Sequence, residues 1–324
     1  GKFLFNQTTG KLQVDVLDFW SSDDQKISEA DIIYQDGVAS MLRHKTNRKL
    51  LIDGNCLGGL CDFNRNNIER LYGNNKTEAT INLANDLKVE EKDIDEYILW
   101  GQGVNTEQHS FQNNIPKIRA DLFGDPMHSK PLVINYGENN KTYIVIGTNA
   151  GVLHMFHDQG NLVDEAWAFM PQAFLKKIKV LKDINHKTGT NTVKNAIGSA
   201  IENKDKIYGI DGHITAHVSD HNQDGVVNGS DQVLIFFGLR RGGRSYYAID
   251  ITLPNEPKLL WHINNETSGF SELGQSWSKA QVVYSSLNVI KSRPKPALIF
   301  SGGYDTNKDK EGVGTKDSMG RAIY

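Results

Sequence analysis

From about Arg119 onward, short apolar runs rich in β-branched and aromatic residues alternate with Gly, Asn and Asp. The runs Pro131–Tyr136, Thr142–Ile146, Gly151–Phe156, Val233–Phe237 and Ser245–Ile249 have the length and composition of strands, and the polar clusters between them have turn chemistry. Two passages repeat one arrangement. His128-Ser-Lys-Pro-Leu-Val-Ile-Asn leads through a turn to Thr142-Tyr-Ile-Val-Ile-Gly147, and Trp277-Ser-Lys-Ala-Gln-Val-Val-Tyr leads to Ala297-Leu-Ile-Phe-Ser-Gly302. Each continues through Gly to a third strand, Val152–Phe156 or Arg321–Tyr324, and a variant unit lies between them from Leu234 to Trp261. Antiparallel units of this length, with glycine turns and a late tryptophan such as Trp167 or Trp261, predict propeller blades better than a sandwich. A single blade cannot cover both faces of its sheet, so neighbours must pack on it. The expected fold is mainly β: a modified β-propeller with helical and loop insertions.

Two segments break the β pattern. In Pro171–Lys182 the residues Phe174, Leu175, Ile178 and Leu181 fall on one helical face; in Val89–Trp100 so do Val89, Ile94, Tyr97 and Ile98, with Gly101 placed to stop the helix. Asp183–Lys206, rich in Asn, Lys and Thr, reads as a surface insertion or flexible loop. The first hundred residues pattern more weakly. Residues 1–105 are therefore read as a segment leading into or contributing to the propeller, and 106–324 as its blades. The chain opens at Gly1 and stops at Tyr324 inside an expected strand, so it reads as a fragment truncated at its C-terminal end.

Composition narrows the function. Acidic and basic residues nearly balance, with a net charge of -3, and no stretch concentrates Lys and Arg among aromatics, which argues against a nucleic-acid partner. No apolar run approaches the roughly 20 residues that cross a bilayer, and no signal peptide opens the chain, so no transmembrane segment is expected in this fragment. The two cysteines, Cys56 and Cys61, enclose Leu-Gly-Gly-Leu; they are too few for a structural zinc site and suit a short disulfide loop in an oxidising compartment, against free thiols otherwise.

The sharpest chemical signal is Asp220–Asp231. Counting from Asp220, oxygen donors fall at positions 1 (Asp220), 3 (Asn222), 5 (Asp224), 7 (the Val226 carbonyl), 9 (Asn228) and 12 (Asp231), with Gly225 at the sharp turn of position 6. A hard divalent cation takes six to eight oxygens, so this spacing predicts a Ca2+ loop, with the shorter Asp231 replacing the usual bidentate Glu. The alternative is a solvated Asp/Asn/Gly turn. Directly after the loop, Gln232–Phe237 has a buried-strand pattern rather than that of the helix in an EF-hand, so the loop sits on a β scaffold. A second run, Asp305, Asn307 and Asp309 followed by Glu311, has similar spacing but Lys310 in place of the glycine, and is weighed as a second calcium site against a solvated loop. Catalytic constellations are thin. His154 and His157 point to opposite faces of a strand, His128-Ser129 lacks an identifiable acidic partner, and Gly242-Gly243 after Arg240-Arg241 reads as a hairpin. No catalytic residue is assigned.

Taken together, Leu122–Pro131, Val145–Phe156, Trp167–Pro171, Tyr208–Gly212, the calcium loop, Phe236–Asp250 and Gly302–Asn307 resemble the C-terminal domain of the PilC/PilY family of type IV pilus biogenesis and adhesion proteins. The resemblance spans most of Ile118–Tyr324 and is weak before residue 100, although Leu99–Gly103 sits where the family has a short motif before its propeller. It implies a modified β-propeller in an exported protein associated with the outer membrane and the pilus. It also implies a role in pilus extension against retraction, in adhesion to surfaces or host cells and so in virulence, with pilins or minor pilins and a host-cell receptor as partners. In the family a calcium loop tunes pilus behaviour, and Asp220, Asn222, Asp224 and Val226 match it one for one. The expected role is thus non-enzymatic and calcium-dependent. Two alternatives share the architecture: a quinoprotein-like dehydrogenase, which should carry adjacent cysteines and calcium ligands gathered from several blades, and a propeller lectin, with Tyr246, Tyr247 and Trp277 stacking on sugars.

Overall fold

The computed structural model describes residues 5–6, 11–12, 37–106, 111–112, 115–137, 141–188, 206–290, 293–309 and 316–324. Most of residues 1–36, the core of the expected insertion at 189–205, and Lys310 and Glu311 lie outside the described residues.

Helix α1 (Gly37–His44) leads to strands β1 (Leu50–Asp53) and β2 (Leu60–Asp62), then to helices α2 (Arg65–Arg70), α3 (Lys76–Leu87) and α4 (Ile94–Gln102). Strands β3 (Leu132–Asn135), β4 (Thr142–Gly147), β5 (Leu153–Asp158) and β6 (Val163–Phe169) form an antiparallel meander. The early strands extend it, because Leu50 and Leu51 of β1 pair in parallel with Ala168 and Phe169 of β6, giving the order β2-β1-β6-β5-β4-β3. The segment before residue 105 thus contributes two strands to the first sheet. After α5 (Leu175–Thr188) comes a second meander of β7 (Ile214–Ser219), β8 (Gln232–Gly238), β9 (Ser245–Asp250) and β10 (Lys258–Asn264). A third unit pairs β11 (Gln281–Ile290) with β12 (Arg293–Ile299), and the chain end returns to it through the bridge Ser301 to Ile323. The protein is mainly β, built from several separate sheets; among the described residues none closes into a barrel. No helix among them is long and apolar enough to cross a membrane.

Local chemistry accounts for the helices. The Asn75 side chain accepts from the N–H groups of Thr77 and Glu78 at the start of α3, and Lys88 ends it in the left-handed region at φ 57°. Helix α4 runs two residues beyond the predicted stop at Trp100: Gly101 lies inside it, facing Phe63 and Ile178, where a Cβ would come within 3.1 Å of the Phe63 ring. The stop is Gly103, at φ 104°. Close approach rather than a turn explains the first glycine. Helix α5 buries Leu175 and Ile178 with the preceding Phe174, as the face pattern predicts, and continues past Lys182.

The second sheet is buried on both faces. Phe237, Tyr247 and Ile249 join the main core with Leu51, Trp167 and Phe169 of the first sheet, while their strand neighbours Phe236, Tyr246 and Ala248 join Leu273, Ala280 and Phe300 under the third unit. Alternation along β8 and β9 sends successive side chains to opposite sides, and both sides have a sheet to meet. The Trp167 indole N–H donates to the Pro254 carbonyl at 2.8 Å, fixing the first sheet to the turn after β9. Tyr246 and Tyr247 are 1% and 0% exposed, which removes both from any sugar-stacking surface and corrects that part of the lectin alternative.

Candidate functional site: the Asp220–Asp231 loop

The Asp220–Asp231 loop joins β7 to β8, closed by the pairing of Ser219 with Gln232. Its first half is a chain of Asx-type turns. Asp220 accepts from Gln223 N–H at 2.7 Å through Oδ1 and from Gly225 N–H at 2.9 Å through Oδ2; Asp224 Oδ1 accepts from Val226 N–H at 2.8 Å. Gln223 and Gly225 take positive φ values of 58° and 76°, so the sharp bend expected at position 6 is there and begins at Gln223. The second half is organised by Asp231, whose residue is 5% exposed: Oδ1 accepts from His221 N–H at 2.8 Å and Oδ2 from Asn228 N–H at 3.0 Å. These backbone donors hold the Asp231 carboxyl below the usual carboxylate range, as the Val226 N–H and then the Asn228 amide do for Asp224. Both are therefore anionic at neutral pH.

The donor set fits a hard cation in kind. Asp220, Asn222, Asp224, Asn228 and Asp231 offer side-chain oxygens and Val226 a carbonyl, and a carboxylate oxygen that accepts one N–H keeps a second lone-pair site. Two side-chain amides satisfy the outer oxygen of Asp224. The Asn222 and Asn228 Nδ2 atoms converge on Asp224 Oδ2 at 2.8 and 3.0 Å, and Asn228 Nδ2 also reaches the Val226 carbonyl at 3.2 Å. Half a turn of each amide would present oxygen instead of nitrogen to the same point. The carboxylates are held by separate turns, and among the described residues no three or more His, Cys, Asp or Glu side chains are gathered as a metal-holding group. A cation would have to draw them inward.

The loop is docked, not free. Val227 N–H donates to the Tyr136 carbonyl at 3.0 Å, Val227 packs on the main core, and Gly137, at φ 81°, lies so close that a Cβ on it would meet the Gly225 carbonyl oxygen at 2.0 Å. Tyr136 is itself fixed by its hydroxyl donating to the Ile251 carbonyl at 2.5 Å. The Tyr136-Gly137 support was missed in the sequence; its only signal is a glycine directly after a strand.

The second candidate run behaves differently. Asp305 Oδ1 accepts from Asn307 N–H at 2.9 Å and its Oδ2 from Ser318 N–H at 2.5 Å, while Asp309 is turned to Arg241, at 3.2 Å, and to the Tyr304 hydroxyl, at 2.8 Å. The two carboxylates thus face different partners. Cys56 and Cys61 are joined in a disulfide with 5.2 Å between their Cα atoms. His128 does have an acidic partner: its Nδ1–H donates to buried Asp211 at 2.8 Å, a contact invisible in sequence because the residues lie 83 positions apart. His154 is fully buried against Glu165, whereas His157 stacks on Tyr143 with ring centroids 4.6 Å apart, consistent with opposite faces of β5. Trp277 lies under Arg240, whose guanidinium carbon is 4.3 Å from the ring centroid, and stacks on Tyr304.

No family model matches the chain. Among curated proteins it is similar to the type IV pilus biogenesis factor PilY1 of Pseudomonas aeruginosa strain UCBPP-PA14, 26% identical over 215 residues, covering 59% of this chain and 16% of that protein. A PilY1 homolog of Xylella fastidiosa strain Temecula1 is 24% identical over 203 residues, covering 61% of this chain and 11% of that protein. The chain therefore matches only a small part of these relatives' length. Among solved structures, the crystal structure of the Pseudomonas aeruginosa PilY1 C-terminal domain aligns with a TM-score of 0.32 and 24% identity, over 53% of this chain and 26% of that one.

Proposed function

We propose that this chain is a calcium-binding domain of a type IV pilus biogenesis factor, exported to the cell surface, whose role is binding and regulation rather than catalysis. The observation that carries the calcium reading is the Asp220–Asp231 hairpin loop, with six oxygen donors at calcium-loop spacing and a fixed dock on Tyr136 and Gly137. The likeness to pilus biogenesis factors supports the pilus role and a cell-envelope location. The Cys56–Cys61 disulfide suits an oxidising compartment.

In this reading the three β units are successive blades of an open part of a propeller, each meander covering the face of the next. Asp220, Asn222, Asp224, the Val226 carbonyl, Asn228 and Asp231 would hold the ion, which supplies charge neutralisation and cross-links the two halves of the loop. Because the loop is tied to β3 through Tyr136, ordering it stiffens the junction between the first two sheets. A partner that binds only the stiffened junction would then be favoured by calcium, by population shift. Pilins or minor pilins at the pilus, and a receptor on a host surface, are the partners this reading assigns; pilus extension and retraction and adhesion at the outer membrane are the activities it would regulate.

Calorimetric titration of the purified chain with Ca2+, followed by piliation and adhesion assays in cells carrying loop variants, tests the proposal. Saturable binding with altered piliation in the variants supports it; absence of binding to the unaltered chain refutes the calcium reading while leaving the pilus role to the cell assay.

A further inference from the structure

A basic residue stands at the entrance of each of three consecutive β units. Lys130 stands two residues before β3, His213 one residue before β7, and Lys279 two residues before β11. Backbone contacts bring these strand entrances together. The Ser129 hydroxyl accepts from Gly147 N–H at 3.0 Å; a Cβ on Gly147 would meet the Ile210 carbonyl at 2.4 Å, and Thr215 donates to the Ala280 carbonyl at 2.8 Å. Those three contacts place the start of β3 beside the segment entering β7, and β7 beside the segment entering β11.

Behind this rim lies one buried carboxylate. Asp211, with a fully buried side chain, receives His128 at 2.8 Å and has Arg240 Nη1 at 3.6 Å. That Arg240 nitrogen is buried and makes no hydrogen bond. Arg240 is held there by a left-handed backbone, φ 50°, and by the Trp277 face beneath its guanidinium. A non-glycine residue in that region is uncommon, and the contacts with Asp211 and the Trp277 ring set where the guanidinium lies. Lys130 and Lys279 are exposed, and among the described residues neither makes an ion pair. Burial first, and then the charges of Lys130, Lys279 and Arg240, hold the His213 imidazole below its usual range.

We propose that Lys130, His213, Lys279 and Arg240 form an oxyanion-binding site at the shared entrance of the three sheets, for a ligand carrying a phosphate or carboxylate group. Asp211 balances only part of the positive charge, and an anion between the lysines completes it. Charge-assisted bonds from two ammonium groups and a guanidinium are strong enough to select such a ligand where water would otherwise screen each lysine separately. The site is distinct from the Asp220–Asp231 loop, which lies at the opposite end of β7.

The test is calorimetric titration of the calcium-free chain with sodium phosphate and, separately, with sodium citrate, each at ionic strength matched with sodium chloride. Saturable binding of at least one anion is expected, weakened about tenfold by Lys130→Gln or Lys279→Gln and about 100-fold by both together. Lys76→Gln, an exposed lysine at the start of α3, should leave it unchanged. Binding of phosphate alone or citrate alone supports the site and identifies the oxyanion; no saturable binding of either, or equal affinity in the double variant, overturns it. Both lysines are exposed, so the variants should keep the parent melting temperature, which is measured alongside.

Discussion

The His154 imidazole donates through Nδ1 to Glu165 Oε1 at 2.7 Å across adjacent strands β5 and β6, in a place where both side chains are 0% exposed. Arg48 completes the arrangement with two bonds to the same carboxylate, at 2.6 and 2.9 Å, and a third to the Gln102 carbonyl at 3.2 Å. A fully buried carboxylate with a forked guanidinium is costly to break because the remaining charge is left without water. The network also ties the segment before β1 and the end of α4 to the first sheet.

Glu165→Gln should therefore destabilise the fold by roughly 3–5 kcal/mol, as Arg48 keeps its charge and loses its counter-ion. Urea unfolding followed by tryptophan fluorescence measures it; a loss under about 1 kcal/mol would show the pair to be dispensable.

Acid should act on the same network in two stages. Burial holds the His154 imidazole below its usual range, so as pH falls through 6.5 the unfolded chain gains a proton that the folded chain does not, and stability drops. Burial pushes the Glu165 carboxyl up, but Arg48 and then His154 outweigh it and hold the group at about 2. Its contribution is present above the unfolded value near 4.5 and is lost as pH falls toward 2. Unfolding free energy measured from pH 7 to 3 should decline in both windows, and Glu165→Gln should flatten the lower one.

Calcium should bind saturably to the chain, and both Asp224→Ala and Asp231→Ala should abolish it, since each removes an anionic donor from the loop. The two variants should differ without the metal. Asp231 caps the N–H groups of both His221 and Asn228, whereas Asp224 is exposed. Asp231→Ala should then lower the calcium-free melting temperature more than Asp224→Ala; the reverse order would mean that the loop's second half is not organised by Asp231.

Gly137→Ala should weaken calcium binding from outside the loop. The added methyl would collide with the Gly225 carbonyl and Val226 Cα, at 2.0 and 2.5 Å, in a residue whose positive φ already disfavours a side chain. The loop must shift to relieve this. At least tenfold weaker binding with retained far-UV circular dichroism is expected, and unchanged affinity would separate the dock from the metal site.

Removing the Cys56–Cys61 disulfide, by reductant or by a Cys56→Ser, Cys61→Ser double variant, should cost about 2 kcal/mol, the amount loop-closure entropy gives for so short a ring. Denaturant unfolding with and without reductant reads it directly, and no difference would show that the hairpin of β1 and β2 holds its geometry unaided.

The oxygen spacing of Asp220–Asp231, the strand runs after Arg119 and the face of α5 were legible because each depends on residues a few positions apart: side-chain period, turn sterics and the reach of an Asp to the next N–H groups. The repeat of Ser-Lys before β3 and β11 was legible too, but not its meaning. Folding decided which distant groups share a neighbourhood. Parallel pairing of Leu50 with Ala168 put the early segment into the first sheet; burial of the second sheet on both faces hid Tyr246 together with Tyr247; and chain returns of 83 and 117 residues brought Asp211 to His128 and Glu165 to Arg48. A sequence fixes a local donor set through covalent distance alone. Whether a strand has one covered face or two, and whether a buried charge finds its opposite, depends on packing between segments that covalent distance does not relate.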